Sequence, residues 1–281
     1  MKVGIVHTTR LEYSEDVAEG VTEARLGPRS DADQHWLRFD LRAMPGASVN
    51  QYVDGFGNNT HLITLSSPHD FLEIVARSGV DTLLEDPFQL PPDGVPPITS
   101  AEEADFLTPS QLVPVNAELQ LLASASAPRQ EKQPFDMVQA LMGFVYKEFE
   151  YTPQVTSVAT TVPEVLSHRR GVCQDFAHVL IGMCRALQIP ARYVSGYIVN
   201  DPRRAPAEAT RGSEASHAWV EAYTPSHGWR GFDPTNNLLA SEYHIKMAIG
   251  RDYRDVAPTR GTYRGRATES LSVHVETHIE H

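Results

Sequence analysis

In Gly171-Val172-Cys173-Gln174-Asp175-Phe176 a cysteine stands two residues after a glycine and three before the first member of an apolar stripe. Phe176, Val179, Met183 and Leu187 recur at three- and four-residue spacing, and Pro190 closes the run. A helix is therefore expected to begin at or near Cys173. Gly171 lets the backbone turn sharply into it. A thiol in a first helical turn meets unpaired N–H groups and the positive end of the helix dipole, and both favour the thiolate. Its position ahead of Phe176 aims the sulfur at whatever the helix packs on. Strands are expected next, at Arg192–Ile198, Ser216–Tyr223 and Trp229–Phe232, so that surface is a sheet. Cys184 lies in the same helix, about 16 Å further along its axis. That is too far for a disulfide or a shared metal, and Cys184 reads as a small buried hydrophobe.

Two further groups complete a chemical proposal. In Ser216-His217-Ala218-Trp219-Val220-Glu221 the strand period puts His217, Trp219 and Glu221 on one face. An imidazole there can face the helix end and serve a thiol as general base. Gly228-Trp229-Arg230-Gly231-Phe232-Asp233 reads as a hairpin return ending at Asp233. A carboxylate at that point can hold the other imidazole nitrogen and fix its tautomer. Asp before Pro234 is also a common turn cap, so the same residue has a purely structural reading.

Upstream, Pro134 suits a first helical position, and Phe135, Val138, Met142, Val145 and Phe149 continue its period. A short helix is expected over Pro163–His168. Between Asp86 and Ala127 prolines crowd the chain, with a short helix near Glu102–Leu107 and a polar exit at Ser124-Ala125-Ser126-Ala127. This reads as a long connection holding a domain boundary. It divides the chain into a β-rich part, residues 1–115, and a second part, residues 116–281, with the cysteine and a C-terminal strand. In the first part Leu37–Arg42 alternates, and Asp54-Gly55-Phe56-Gly57-Asn58-Asn59 is a hairpin turn between Gln51–Val53 and His61–Leu65. Phe71–Ala76 and Val80–Leu83 read as two more strands, and the whole as an antiparallel sandwich. Leu271, Val273, Val275, Thr277 and Ile279 alternate with polar residues as an edge or surface strand. The expected fold class is α+β.

The composition of the 281 residues excludes several functions. A net charge of −12 repels a phosphate backbone, so no nucleic acid is expected. Arg203-Arg204 and the arginines from Arg251 to Arg266 are interrupted by acids or small residues and read as solvated faces. The apolar opening Met1 to Val6 is too brief for a signal peptide, and no run is long enough to span a bilayer. Two cysteines make no extracellular framework. A cytoplasmic protein without membrane partners is expected. The 12 histidines show no metal-ligand spacing, so no metal and no cofactor are expected.

Gly171-Val172-Cys173-Gln174-Asp175-Phe176-Ala177-His178, Gly196-Tyr197, His217-Ala218-Trp219-Val220-Glu221 and Phe232-Asp233-Pro234-Thr235-Asn236 together resemble the transglutaminase-like (papain-like cysteine protease) superfamily. Arg25-Leu26-Gly27-Pro28-Arg29, Gln34 and Asp54 to Asn58 resemble the β-rich region of its bacterial members, and Gly250 to Pro258 their closing segment. The resemblance implies a Cys–His–Asp acyl-transfer centre on Cys173, His217 and Asp233, acting on protein or peptide amides. It places Cys173 as nucleophile and its backbone N–H in an oxyanion site, with Tyr151 or Gln174 as second donor. The calcium loops of animal members have no counterpart here. Two other readings fit the same core: a thiol acetyltransferase loaded from a cofactor thioester, and a non-catalytic binding module. Substrate specificity is expected in the loop Asn200–Ala215.

Overall fold

The computed structural model describes residues 1–128, 133–200, 210–211 and 216–280. The chain opens with six strands: β1 (Lys2–Val17), β2 (Glu19–Gly27), β3 (Gln34–Met44), β4 (Ser48–Val53), β5 (Asn59–Leu65) and β6 (His69–Thr82). The connection carries α1 (Ser100–Leu107) and α2 (Ala117–Ser126). Then come α3 (Pro134–Glu148), β7 (Glu150–Tyr151), α4 (Val162–His168), β8 (Arg170–Gly171) and α5 (Cys173–Ala186). A sheet follows, from β9 (Ala191–Ile198), β10 (His217–Thr224), β11 (Gly228–Asp233), β12 (Leu238–Leu239) and β13 (His244–Gly250). The chain closes with α6 (Tyr253–Val256), β14 (Thr259–Arg264) and β15 (Glu269–Glu280).

The class is α+β with mostly antiparallel sheets. Two four-stranded sheets, β15-β1-β6-β3 and β14-β2-β5-β4, form the N-terminal layers. Leu11, Leu26, Ile63, Leu65, Leu72 and Ile74 bury the apolar cluster they share. The chain's end completes both: β15 pairs with β1 and β14 with β2. The C-terminal strand is thus a sheet edge, as its alternation suggests. Phe71–Ala76 and Val80–Leu83 are not two strands but parts of one, β6. The weak strand formers between them, Arg77, Ser78 and Gly79, are paired on both sides, with Val6, Ile5 and Gly4 and with Asp40, Phe39 and Arg38. Tertiary pairing overrides local preference there.

The proline-rich connection is also more ordered than its composition suggests. Ser124 to Ser126 are not a polar exit but the last turn of α2, whose first turn Asn116 caps by accepting the Leu119 N–H at 2.9 Å. No helix among the described residues is long and apolar enough to cross a membrane.

The second part is built around α5, on which every residue from Gln174 to Arg185 is buried. It packs on β9 and β10 on one side and on α2, α3 and α4 on the other. Phe176, Val179, Leu180 and Met183 share a core with Val138, Leu141, Val165, Ala218, Val220 and Ala222. The sheet runs β12-β11-β10-β9-β13, so β13 is an edge.

That edge is closed by two side-chain amides from the N-terminal layers. Gln34 donates to the Lys246 carbonyl and accepts its N–H, both at 2.8 Å. Asn58 does the same for Ile249, at 2.9 and 2.8 Å. Each primary amide imitates one residue of a neighbouring strand, satisfying buried backbone groups that would otherwise be orphaned. Asn58→Ala should therefore cost about 1–3 kcal/mol of unfolding free energy. Urea denaturation checks this; an unchanged midpoint would show that the amide contributes nothing.

Candidate active site

Cys173 is the first residue of α5 and is partly exposed. The entry to the helix is shaped by Asp175, whose Oδ2 accepts the Val172 N–H at 2.8 Å and the Thr156 hydroxyl at 2.6 Å. Its side chain lies so close to Gly171 that a β-carbon there would stand 2.6 Å from the carboxylate oxygen. Glycine is thus required for the carboxylate to fold back and present Cys173 at the helix start. Burial raises the Asp175 carboxyl above the usual carboxylate range, against the hydrogen bonds from Thr156 and Val172.

His217 is the first residue of β10, opposite Gly196 on β9. The strand period holds: Ala218, Val220 and Ala222 lie in the core with α5, and Trp219 packs in a separate cluster with Val194, Ala240, Ile249 and Phe56. The helix covers the small-residue face, and Trp219 lies on the other. Gly196 makes room for the Trp219 ring, since a β-carbon there would meet the Ile245 carbonyl and the indole. Trp219 stacks on His217 with centroids 6.2 Å apart.

His217 Nε2 lies 2.9 Å from Asp233 Oδ2, and both side chains are fully buried. Nδ1 has no hydrogen-bond partner within bonding distance, while the Cys173 sulfur is close enough to act on the ring. Burial pushes the imidazole pKa down, but the Asp233 carboxylate and the Cys173 sulfur outweigh it and raise the value from 6.5 to about 10. Asp233 is held well below the usual carboxylate range: burial opposes this, and His217 and then His244 overcome it.

The two groups give stability opposite dependences on pH. The imidazole's contribution is complete below its ordinary value and is lost as pH rises through about 10. The carboxylate's contribution is present above its ordinary value near 3.8 and is lost in acid.

The two oxygens of Asp233 have separate sets of partners. Oδ1 accepts the Thr235 N–H at 2.9 Å and the Asn236 N–H at 3.3 Å, which caps the turn. Oδ2 takes the imidazole and, at 2.8 Å, the Asn236 side-chain amide. A second imidazole, absent from the sequence reading, also stands here: His244 Nε2 is 3.5 Å from Oδ2. Its Nδ1 faces the Ser241 N–H at 3.4 Å, which leaves the ring proton on Nε2. The alternation of His244, Ile245, Lys246 and Met247 is the sequence signal for the strand that carries it. A cavity of about 560 Å³ adjoins His244, with Met142, Val199, Asn237 and Leu239 in its walls.

Of the two candidate oxyanion donors, Gln174 is buried and gives its amide to the Val158 carbonyl at 3.3 Å. Tyr151 and Cys173 both pack against the α5 core, and Tyr151 pairs with Gly171, two residues before the cysteine. Burial, then the Cys173 charge, raises the Tyr151 phenol above its ordinary value, and Arg211 opposes the rise. Two other motif residues have structural work. His178 is buried, accepts the Tyr253 N–H at 3.1 Å, and is pushed down to about 4 by burial. Glu221 receives Arg192 at 2.6 Å and also Lys246, which itself reaches Asp31 at 2.6 Å. Burial opposes its ionisation, but Lys246 and Arg192 pull it down to about 2.

Cys184 is fully buried, and burial pushes its thiol up to about 12. Among the described residues no group of three or more His, Cys, Asp or Glu is arranged to hold a metal. Of the expected specificity loop, Asn200, Thr210 and Arg211 are described; 201–209, with Arg203-Arg204, and 212–215 lie outside the described residues.

Asp233→Asn should keep the turn cap on one atom but oppose the His217 and Asn236 donors with an amide N–H₂. We expect slower alkylation of Cys173 by iodoacetamide, by roughly tenfold or more, in a protein that still folds. An unchanged alkylation rate would leave Asp233 as a turn cap alone.

Residues 123–234 match the model of the transglutaminase-like superfamily, and residues 3–81 that of the bacterial transglutaminase-like N-terminal region. An uncharacterized protein of Mycobacterium leprae is 33% identical over 284 residues, with 98% of each chain covered. A protein-glutamine gamma-glutamyltransferase of Pseudomonas aeruginosa is 32% identical over 125 residues, which span 43% of this chain and 19% of that protein. A crystal structure from Cytophaga hutchinsonii, provisionally described as a cysteine protease, superposes with a TM-score of 0.78 at 25% identity, covering 99% of this chain and 90% of that one.

Proposed function

Since the chain belongs to the transglutaminase-like superfamily and carries the bacterial N-terminal region of that family, we propose that it is an enzyme of cysteine-dependent acyl transfer or hydrolysis on protein or peptide amides. Cys173 is the nucleophile, His217 the acid and base, and Asp233 the group that orients His217. The observation that carries this reading is the buried 2.9 Å contact between His217 Nε2 and Asp233, which leaves Nδ1 for the sulfur.

The thiolate adds to the amide carbonyl carbon, and the π electrons move onto the oxygen. The Cys173 backbone N–H at the helix start holds that oxyanion, with the Tyr151 hydroxyl as second donor. The tetrahedral intermediate collapses as the C–N bond breaks, and His217 gives its proton to the departing amine. A thioester remains on Cys173. Water or a second amine then attacks its carbonyl carbon and gives a proton to His217, and the C–S bond breaks to release the acyl product and return the thiolate beside the imidazolium. Asp233 keeps the ring oriented throughout and supplies the counter-charge of the imidazolium.

Cys173→Ala should abolish release of ammonia or amine from glutaminyl peptides while leaving the melting temperature within a few degrees. Cys184→Ala should retain activity and lose modest stability, on the order of 1 kcal/mol for one small buried group. Activity retained in Cys173→Ala, on any accepted amide, would refute the nucleophile assignment.

A further inference from the structure

We infer that Arg211 selects substrates carrying a carboxylate beside the reacting amide, an assignment that rests on the acyl-transfer reading above. The backbone of Arg211 is gripped by one side chain of the site. Its N–H donates to Asn236 Oδ1 at 2.8 Å, and its carbonyl accepts from Asn236 Nδ2 at 3.2 Å. The same Nδ2 donates to Asp233 Oδ2 at 2.8 Å. A single amide therefore ties Arg211 to the carboxylate that holds His217.

The guanidinium of Arg211 points toward the nucleophile's surroundings. It lies 5.4 Å from the ring centre of Tyr151 and 5.8 Å from that of Tyr146. Tyr151 on β7 pairs with Gly171, two residues before Cys173, and the charges of Cys173 and Arg211 both act on its phenol. The cation thus lies over the ring that pairs with the segment leading into Cys173. Arg211 is exposed, and no carboxylate among the described residues lies within ion-pair distance of it. Arg10, Arg25, Arg192 and Arg251 are each bound to an acid.

A planar guanidinium held over aromatic faces keeps its edge donors for a carboxylate. The chain's net charge of −12 repels acidic substrates at long range. Salt screens that repulsion beyond about 10 Å, so a cation at the rim can favour an anion on its final approach. The competing account is that Arg211 only covers the two tyrosines, in which case its charge is irrelevant to what reaches Cys173.

Two alkylating reagents separate the accounts without requiring amide turnover. Iodoacetate and iodoacetamide react alike: the thiolate forms a C–S bond and iodide leaves. They differ in carrying a carboxylate or a neutral amide. Rates at Cys173 are read by peptide mapping in wild type and Arg211→Gln, at low and at high salt. We expect the iodoacetate to iodoacetamide rate ratio to fall roughly threefold in Arg211→Gln at low salt, the scale of an exposed charge pair, and the two proteins to converge at high salt. Equal ratios at low salt would overturn the role of Arg211, whatever the amide activity. A lowered ratio in a protein that turns over no amide would sustain Arg211 as an anion selector and refute the reaction. No labelling of Cys173 by either reagent would overturn both.

Discussion

A fully buried carboxylate, Asp233, is the group on which the rest of the site depends. Taking a charge out of water costs several kcal/mol, and only a complete set of donors offsets it. Here the set is divided: the turn's backbone holds one oxygen, and an imidazole and an amide hold the other. The end of β11, the start of β10, the turn after Asp233 and the backbone of Arg211 are therefore fixed by a single side chain. Removing one partner of such a buried pair typically costs about 3–5 kcal/mol, so geometry and stability are inseparable at this point.

The N-terminal layers act on the site through the sheet that carries it. Gln34 and Asn58 close the β13 edge with amides, and β13 in turn brings His244 to Asp233. Beneath Trp219, the Glu221 carboxylate is held by Arg192 from β9 and Lys246 from β13, with Asp31 from the N-terminal layers beyond. Three neighbouring strands of the sheet, β10, β9 and β13, are thereby tied by one buried charge network. An apolar cluster of Val3, Ile5, Val80, Tyr197, Ile245 and Met247 fills the space between the two parts.

What could be read from the sequence was local. A glycine, a cysteine and a 3.6-residue stripe announced α5, and period-two alternation announced β10. Asp233 fell at a strand end marked by the following proline. The connection's second helix was hidden because Ser and Ala near its end carry no amphipathic stripe. β6 was read as two strands because Arg77, Ser78 and Gly79 owe their extended form to partners distant in sequence. The same reason concealed His244 and Arg211: each joins the site through a contact made only when the sheet and its loops assemble. Which face α5 covers was also undecidable from alternation alone, since both faces of β10 are buried.

The central claim is that Asp233 keeps His217 charged beside Cys173. The most direct test is the protonation of the His217 ring itself, followed by ¹⁵N NMR of histidine-labelled protein, with His217→Gln used to assign the signal. The account predicts an imidazolium, protonated on both nitrogens, from pH 6 through neutrality and losing its proton only near pH 10. A His217 ring that titrates near its ordinary 6.5, and is neutral at pH 8, would contradict it.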